Sequence, residues 1–199
     1  MRSTADPEVN PMLEGKTVIL RALEPADLER VHTWMNDPEV RRYIAMRYPM
    51  ARVDEQAWLK DRPQNSFAEG VRLAIDTKEG LHIGNLDLRE LRPEDRSASL
   101  GIVIGEKEYW SNGHGTDALT TLLRFAFYEM NLHRVSLHTF EFNERGQACY
   151  RKCGFKEEGR LREHYYAEGR YWDSLVMAVL REEFDALHGL AAEVVGSSA

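Results

Sequence analysis

Two glycines one residue apart stand between an apolar stretch, Ser97 to Gly105, and a second apolar stretch that starts at Gly115; they lie in the run Tyr109-Trp110-Ser111-Asn112-Gly113-His114-Gly115-Thr116. This run constrains the fold more than any other, because it demands a strand, a tight turn and a helix in immediate succession. A residue without a Cβ lets the backbone turn sharply and approach a ligand closely. The start of a helix carries unpaired N–H groups and partial positive charge. The two together form a cradle for an anion such as a phosphate or pyrophosphate. A Gly-x-Gly alone serves many ordinary turns, so the surrounding chain has to decide between the two uses.

Upstream, Thr17–Ala22 is apolar and β-branched and reads as a first strand. Pro25 suits a first helical position, and Leu28, Val31, Trp34 and Met35 follow at helical spacing until Asn36-Asp37-Pro38 ends the helix. Val40 to Met50 is mixed and reads as irregular or briefly helical, and Asp54 is placed to cap a short helix carrying Ala57, Trp58 and Leu59. Three strands in a meander come next: Val71–Ile75, Leu81–Leu91 with Gly84 as a possible bulge, and Ser97–Gly105. The last is nearly continuously apolar and is expected to be central and buried. After the glycine run, Leu119, Leu122, Leu123 and Ala126 mark one face of a helix from Gly115 to about Glu129, widened by Phe125 and Phe127. A strand from Arg134 to Glu141, a short helix after Asn143 stopped by Gly154, and two strands, Phe155–Tyr166 and Tyr171–Val179, joined at Glu168-Gly169, complete the pattern. A meander followed by strand-helix-strand gives an α+β (mixed α/β) domain. We expect residues 1–14 to be a disordered leader, 15–187 one domain, and 188–199 a flexible tail.

The 199 residues suffice for one ordinary core. With 43% apolar and 30% charged residues the chain falls among globular proteins. No stretch reaches the roughly 18–20 apolar residues of a membrane span, and the N-terminus lacks the apolar segment of a signal peptide, so the expected location is cytoplasmic. A net charge of −7 argues against a nucleic-acid binder and is compatible with a cationic acceptor such as an amine. Cys149 and Cys153 share a helix face four residues apart, where a disulfide is geometrically poor, and they lack metal-site spacing. Two reduced, half-buried thiols and no metal are expected. A phosphate-binding P-loop would need Gly-x4-Gly-Lys-Ser/Thr, and no lysine follows Gly115. A dinucleotide fold would need a third glycine where Ala118 stands.

The glycine run and the segment Asn143-Glu-Arg-Gly-Gln-Ala-Cys-Tyr150-Arg-Lys-Cys-Gly154-Phe155 together resemble the GNAT superfamily of acyl-CoA N-acyltransferases, and within it the RimJ/RimL group. The resemblance runs from about Lys16 to Glu183. The first segment matches that family's pyrophosphate loop, with Trp110 where Gln or Arg is usual. The second matches its Asn…Tyr-x-Lys-x-Gly-Phe signature.

The resemblance implies a GNAT-like fold, a central and largely antiparallel twisted sheet flanked by helices. It implies direct transfer of an acetyl group from acetyl-CoA to a primary amine, on a protein N-terminus or a small molecule. Backbone N–H groups of Ser111, Asn112, Gly113, His114, Gly115 and Thr116 would hold the coenzyme pyrophosphate, and Trp110 would contribute its backbone to the coenzyme site. Ile102, Val103 and Ile104, at a strand end that splays from its neighbour, would pair with the pantetheine arm. A backbone N–H there would also polarise the thioester carbonyl. Asn143 would cap its helix, hydrogen-bond the coenzyme arm, or do both. Tyr150 takes the general-acid position, since a phenol near pKa 10 keeps its proton at neutral pH; packed beside Phe155 it is equally a core tyrosine. Many relatives carry a Glu where Ser99 stands, so a carboxylate base is in doubt. His138 is the leading alternative base, or a plain strand histidine; Glu141 and Asp87 are weaker candidates. The aromatic group Tyr165, Tyr166, Tyr171 and Trp172 suits an acceptor pocket, sheet core or a dimer face. A homodimer is implied by the family. A non-catalytic acyl-CoA-binding or sensing module is the alternative.

Overall fold

The computed structural model describes residues 13–52, 65 and 70–189. Eight strands form one sheet: β1 (Leu13–Glu14), β2 (Val18–Ala22), β3 (Val71–Thr77), β4 (His82–Arg92), β5 (Ser97–Ile104), β6 (Arg134–Phe140), β7 (Lys156–Ala167) and β8 (Arg170–Leu180). Their spatial order is β1-β2-β3-β4-β5-β6-β8-β7. Every neighbouring pair is antiparallel except β5–β6. The short turns after Thr77, Arg92 and Ala167 allow hairpins. The parallel pair needs a crossover, supplied by the glycine run and the helix α3 (His114–Tyr128). The helices α1 (Leu28–Asn36), α2 (Pro38–Arg41), α4 (Glu144–Lys152) and α5 (Arg181–His188) complete the α+β domain. None of the described helices is long and apolar enough to cross a membrane.

Both faces of the sheet are covered, as alternation along β3 records. Leu73 and Ile75 join a core with Leu119, Leu122, Leu123 and Phe127 of α3, while Ala74 between them packs with Val31, Trp34 and Met35 of α1. Each large side chain buried this way contributes about 1.5–3 kcal/mol. On the α1 side the core also holds ions. Arg21 Nη1 and Nη2 donate to the two oxygens of Asp27 at 2.7 and 2.8 Å, and its Nε donates to Asp76 at 2.7 Å. Two carboxylates around one guanidinium raise its pKa, chiefly through the Asp27 hydrogen bond. The nearby His82 Nδ1 lies 3.3 Å from Asp27 Oδ1 without hydrogen-bond alignment.

Four expectations change. Leu13 and Glu14, assigned to the leader, pair with Leu20 and Ile19 of β2. The bulge near Gly84 falls one residue earlier, at Ile83, where Ile75 faces Gly84 but Asp76 faces His82. Residues 181–188 form the helix α5, which the pattern did not announce, and Phe184 seats it against Phe127 with ring centroids 5.4 Å apart. The fourth concerns β5, expected to be buried throughout. Ala98 and Leu100 are buried, but Gly101 to Ile104 are only half-buried. The reason is register: β5 and β6 pair only through Ser97–Arg134, Ala98–Val135 and Ser99–Ser136, and beyond these the strands part. The Asp54 helix lies outside the described residues.

Candidate active site

Where β5 and β6 part, two cavities open, of about 370 and 530 Å³. The first takes its walls from the end of β5, the glycine run and α4. Ile102, Val103, Ile104, Trp110, Ser111, Gly113, Gly115, Thr116 and Asn143 all line it. Asn112 and His114 do not. Asn112 instead ties the loop together, donating from Nδ2 to Glu108 O at 2.8 Å, and His114 packs edge-on against Tyr109 at 5.0 Å.

The local sequence explains the cradle. Gly113 is the N-cap of α3 with φ +88°, a left-handed conformation that favours glycine, and no side chain caps the helix. The N–H groups of His114, Gly115 and Thr116 therefore have no intrahelical partner. Asp117 in the same turn faces away. It accepts from the backbone N–H groups of Lys16, Thr17 and Val18 at 3.1, 2.6 and 3.1 Å, stitching α3 to the start of β2. Burial pushes its carboxyl up, but these donors hold it below the ordinary carboxylate value.

Trp110, where the family usually has Gln or Arg, works through its side chain. Nε1 donates to Ile104 O at 2.7 Å and pins the loop to the strand end. Its ring lies under the guanidinium of Arg145 at 3.6 Å, and Tyr43 packs on the same group at 4.9 Å. Burial lowers the Arg145 pKa. Arg145 and Lys152 both line the first cavity, and no carboxylate does so among the described residues, so its field favours an anion. Sequence reasoning missed Arg145. Its one signal was its place in the first turn of α4, two residues after Asn143.

Asn143 caps α4 through Oδ1, which accepts from Gly146 N at 3.0 Å, and its Nδ2 donates to Thr139 Oγ1 at 3.2 Å. One amide hydrogen is left over. Cys149 and Cys153 are free thiols, the first half-buried and the second buried. Cys149 Sγ lies 3.3 Å from Thr116 Oγ1 on the floor of the first cavity. The Cys153 S–H lowers the pKa of Cys149, and that same hydrogen bond raises its own. Among the described residues no cluster of His, Cys, Asp and Glu could hold a metal.

The second cavity lies between β3–β8 and the α1–α2 region. His138 lines it from β6, exposed, beside Asn85, Asp87 and Tyr165. Of the aromatic group, Tyr165 alone reaches this wall, stacked on Phe140 at 4.1 Å. Tyr166 and Tyr171 pair with each other on the surface, 49% and 61% exposed, and Trp172 packs edge-on to Phe142. Ser99 and Glu141 line neither cavity. Glu141 is occupied by Asp173 N at 3.0 Å and Arg160 at 3.2 Å.

Tyr43, Ile44, Ile102, Val103 and Tyr150 line both cavities. Tyr150 is 9% exposed and packs edge-on to Phe155 at 6.1 Å, so it is a core residue and a wall residue at once. Its burial pushes the phenol pKa up, so it is protonated at neutral pH. Its hydroxyl makes no hydrogen bond among the described residues.

Residues 17–156 match the family model described as acetyltransferase (GNAT) domain. The chain is 32% identical over 165 residues to a spermidine N(1)-acetyltransferase of Vibrio cholerae serotype O1, covering 83% of this chain and 94% of that protein. It is 29% identical over 177 residues to the spermidine N(1)-acetyltransferase of Escherichia coli K12, covering 89% and 93%. The fold superposes on the crystal structure of the Vibrio cholerae spermidine N-acetyltransferase in complex with CoA and spermine with a TM-score of 0.76 at 27% identity, covering 84% of this chain and 98% of that one.

Proposed function

From the premise that the chain belongs to the GNAT acetyltransferases and takes acetyl-CoA as its co-substrate, we propose that it acetylates a primary amine by direct transfer, with the Tyr150 O–H donating a hydrogen bond to the leaving sulfur. The observation that carries this reading is the position of Tyr150 in the wall common to both cavities. Acetyl-CoA occupies the first cavity, its pyrophosphate on the N–H groups of the glycine run and its arm along Ile102, Val103 and Ile104. The amine reaches the thioester from the second cavity.

The nitrogen lone pair forms the new C–N bond, the C–S bond breaks, and the amine releases a proton, while the coenzyme departs as a thiolate that takes up its proton from solvent. A leaving thiolate with pKa near 8.5 does not strip a buried phenol whose own pKa has been pushed up. The Tyr150 O–H therefore stabilises the departing sulfur mainly by donating a hydrogen bond. His138, on the second cavity's wall, receives the amine proton. Asn143 offers its spare amide hydrogen to the coenzyme arm.

The named relatives put spermidine first among acceptors to test, and protein N-termini form the second class. Placement in a RimJ/RimL-like group and assembly as a homodimer belong to the same proposal, and light scattering tests the latter. The deciding experiment is acetyl-CoA-dependent thiol release over a panel of amines, with thermal-shift binding of acetyl-CoA alongside. Turnover on one class is expected. Binding without turnover on any acceptor would favour the sensing module.

A further inference from the structure

The charge of the acceptor is set by the polar groups among the apolar walls of the second cavity. Among the described lining residues Asp87 is the one carboxylate. It is already engaged: Arg89 Nη1 donates to its two oxygens at 3.2 and 3.3 Å. The sheet provides for this pair. Asp87 and Arg89 are two apart on β4 and share a face, and Gly101 stands opposite Asp87 on β5. A Cβ on residue 101 would lie 2.6 Å from Asp87 Oδ1 and 2.9 Å from Arg89 Nη1, so the missing side chain is the room in which the pair sits. Arg72 faces Asp87 from β3 and lines the same cavity.

One step along β4, Asn85 adds a second donor. His82 Nε2 lies 3.0 Å from Gly84 O and 2.9 Å from Asn85 Oδ1. A backbone carbonyl can only accept, so Nε2 carries the hydrogen, and Asn85 presents its oxygen to His82. Its Nδ2 has no hydrogen-bond partner among the described residues and belongs to a residue of the cavity wall. Among the described residues the wall thus offers the remaining N–H groups of Arg89, Nε and Nη2, and the Asn85 amide as donors, while both oxygens of Asp87 already accept from Arg89 Nη1. Among the described lining residues an ammonium brought here meets one carboxylate, which it has to share with Arg89. A carboxylate meets a planar fork and an amide donor, the strong geometry for that group.

Resting on the acetyltransferase reading above, we propose that the acceptor is a primary amine carrying an apolar body and a carboxylate, an amino-acid-like molecule, and that a polyamine is not the preferred substrate. Arg89 and Asn85 fix its carboxylate while the amine reaches toward Tyr150.

The test measures kcat/KM by thiol release on the full chain for phenylalanine, leucine, their amides, 2-phenylethylamine and spermidine. Calorimetric binding of the same amines to CoA-saturated protein is measured in parallel. Amidation lowers the amine pKa and enlarges the reactive neutral fraction, so the comparison is weighted against the proposal. At least one carboxylate is expected to exceed its own amide about tenfold, the worth of one good charge-assisted contact, with spermidine below both. Arg89→Gln is expected to erase that ratio and Arg89→Lys to restore part of it. The proposal is overturned if no carboxylate outdoes its amide in turnover or binding, or if spermidine outdoes both. Carboxylate-selective binding that depends on Arg89, with no acetyl transfer to any amine, would leave the charge selectivity standing and remove the transferase reading.

Discussion

The two cavities that meet at Tyr150 are built in opposite ways. The first is a backbone site, with a left-handed glycine, the open end of α3 and the unpaired margin of β5, all within fifteen residues of chain from Ile102 to Thr116. The second is a side-chain site to which β3, β4, β5, β6, β7 and β8 each contribute between one and four residues. A backbone site can bind the same cofactor while side chains around it change, whereas a side-chain site changes its ligand with each substitution.

The harshest test removes the ion cluster beneath the acceptor side. Arg21→Leu leaves Asp27 and Asp76 without their cation and is expected to cost about 3–5 kcal/mol in urea unfolding. At low temperature, where folded protein survives, acetyl-CoA affinity should hold while acceptor KM shifts, since His82 links the cluster to Asn85. Equal damage to both would show that the two sites are not separate.

Tyr150→Phe acts where they join. Turnover is expected to fall tenfold or more with acetyl-CoA affinity intact; unchanged turnover would make the shared wall merely structural.

Next come the two glycines, which separate fold from ligand. Gly113→Val is expected to weaken acetyl-CoA binding about tenfold and to lower the melting temperature. The stability loss comes from strain at φ +88°, about 1–2 kcal/mol, and not from a clash within the protein, because a Cβ there meets no protein atom within 4 Å. At Gly115 a Cβ would find only ordinary contacts, at 3.7 Å to Cys149 Sγ and 3.8 Å to Ile104. Gly115→Ala should therefore keep its stability and lose affinity alone, and an affinity unchanged in that variant would move the pyrophosphate elsewhere.

The smallest effect belongs to Asp117. Its folded carboxyl is lowered, so its contribution is complete above the ordinary carboxylate value and disappears as pH falls through the lower folded value. Asp117→Asn is expected to cost about 1 kcal/mol at neutral pH, the worth of a few hydrogen bonds open to solvent. The gap between the two proteins should close in acid, and a gap independent of pH would contradict the ionic origin.

The sequence was most legible where structure is local. The alternation of β3 and β4, the apolar face of α3, the Gly113 turn and the Asn143 cap each depend on neighbours a few residues away. Of the nine residues expected on the coenzyme side that line the first cavity, those of the glycine run and the Asn143 cap were legible from local pattern, and Ile102, Val103 and Ile104 from the family resemblance alone. Arg145 between Trp110 and Tyr43 was not legible, because three side chains distant in sequence make that stack. Neither was the Asp87–Arg89 pair in the space above Gly101, since a glycine in a strand says that something comes close but not what. Helix α5 escaped because Phe184 is its only fully buried residue, too little for a periodic signal.

The separation of β5 from β6 after three paired residues has a further consequence. A sheet usually ends at its outer strands, where any extended chain can add itself and begin aggregation. Here part of the adhesive margin lies inside, between two strands of the same molecule, with the glycine run and α4 around it. In the reading proposed above, the thin, amide-bearing arm of the coenzyme enters this slot and pairs along it. A margin enclosed in this way is not an outer edge to which another sheet can add.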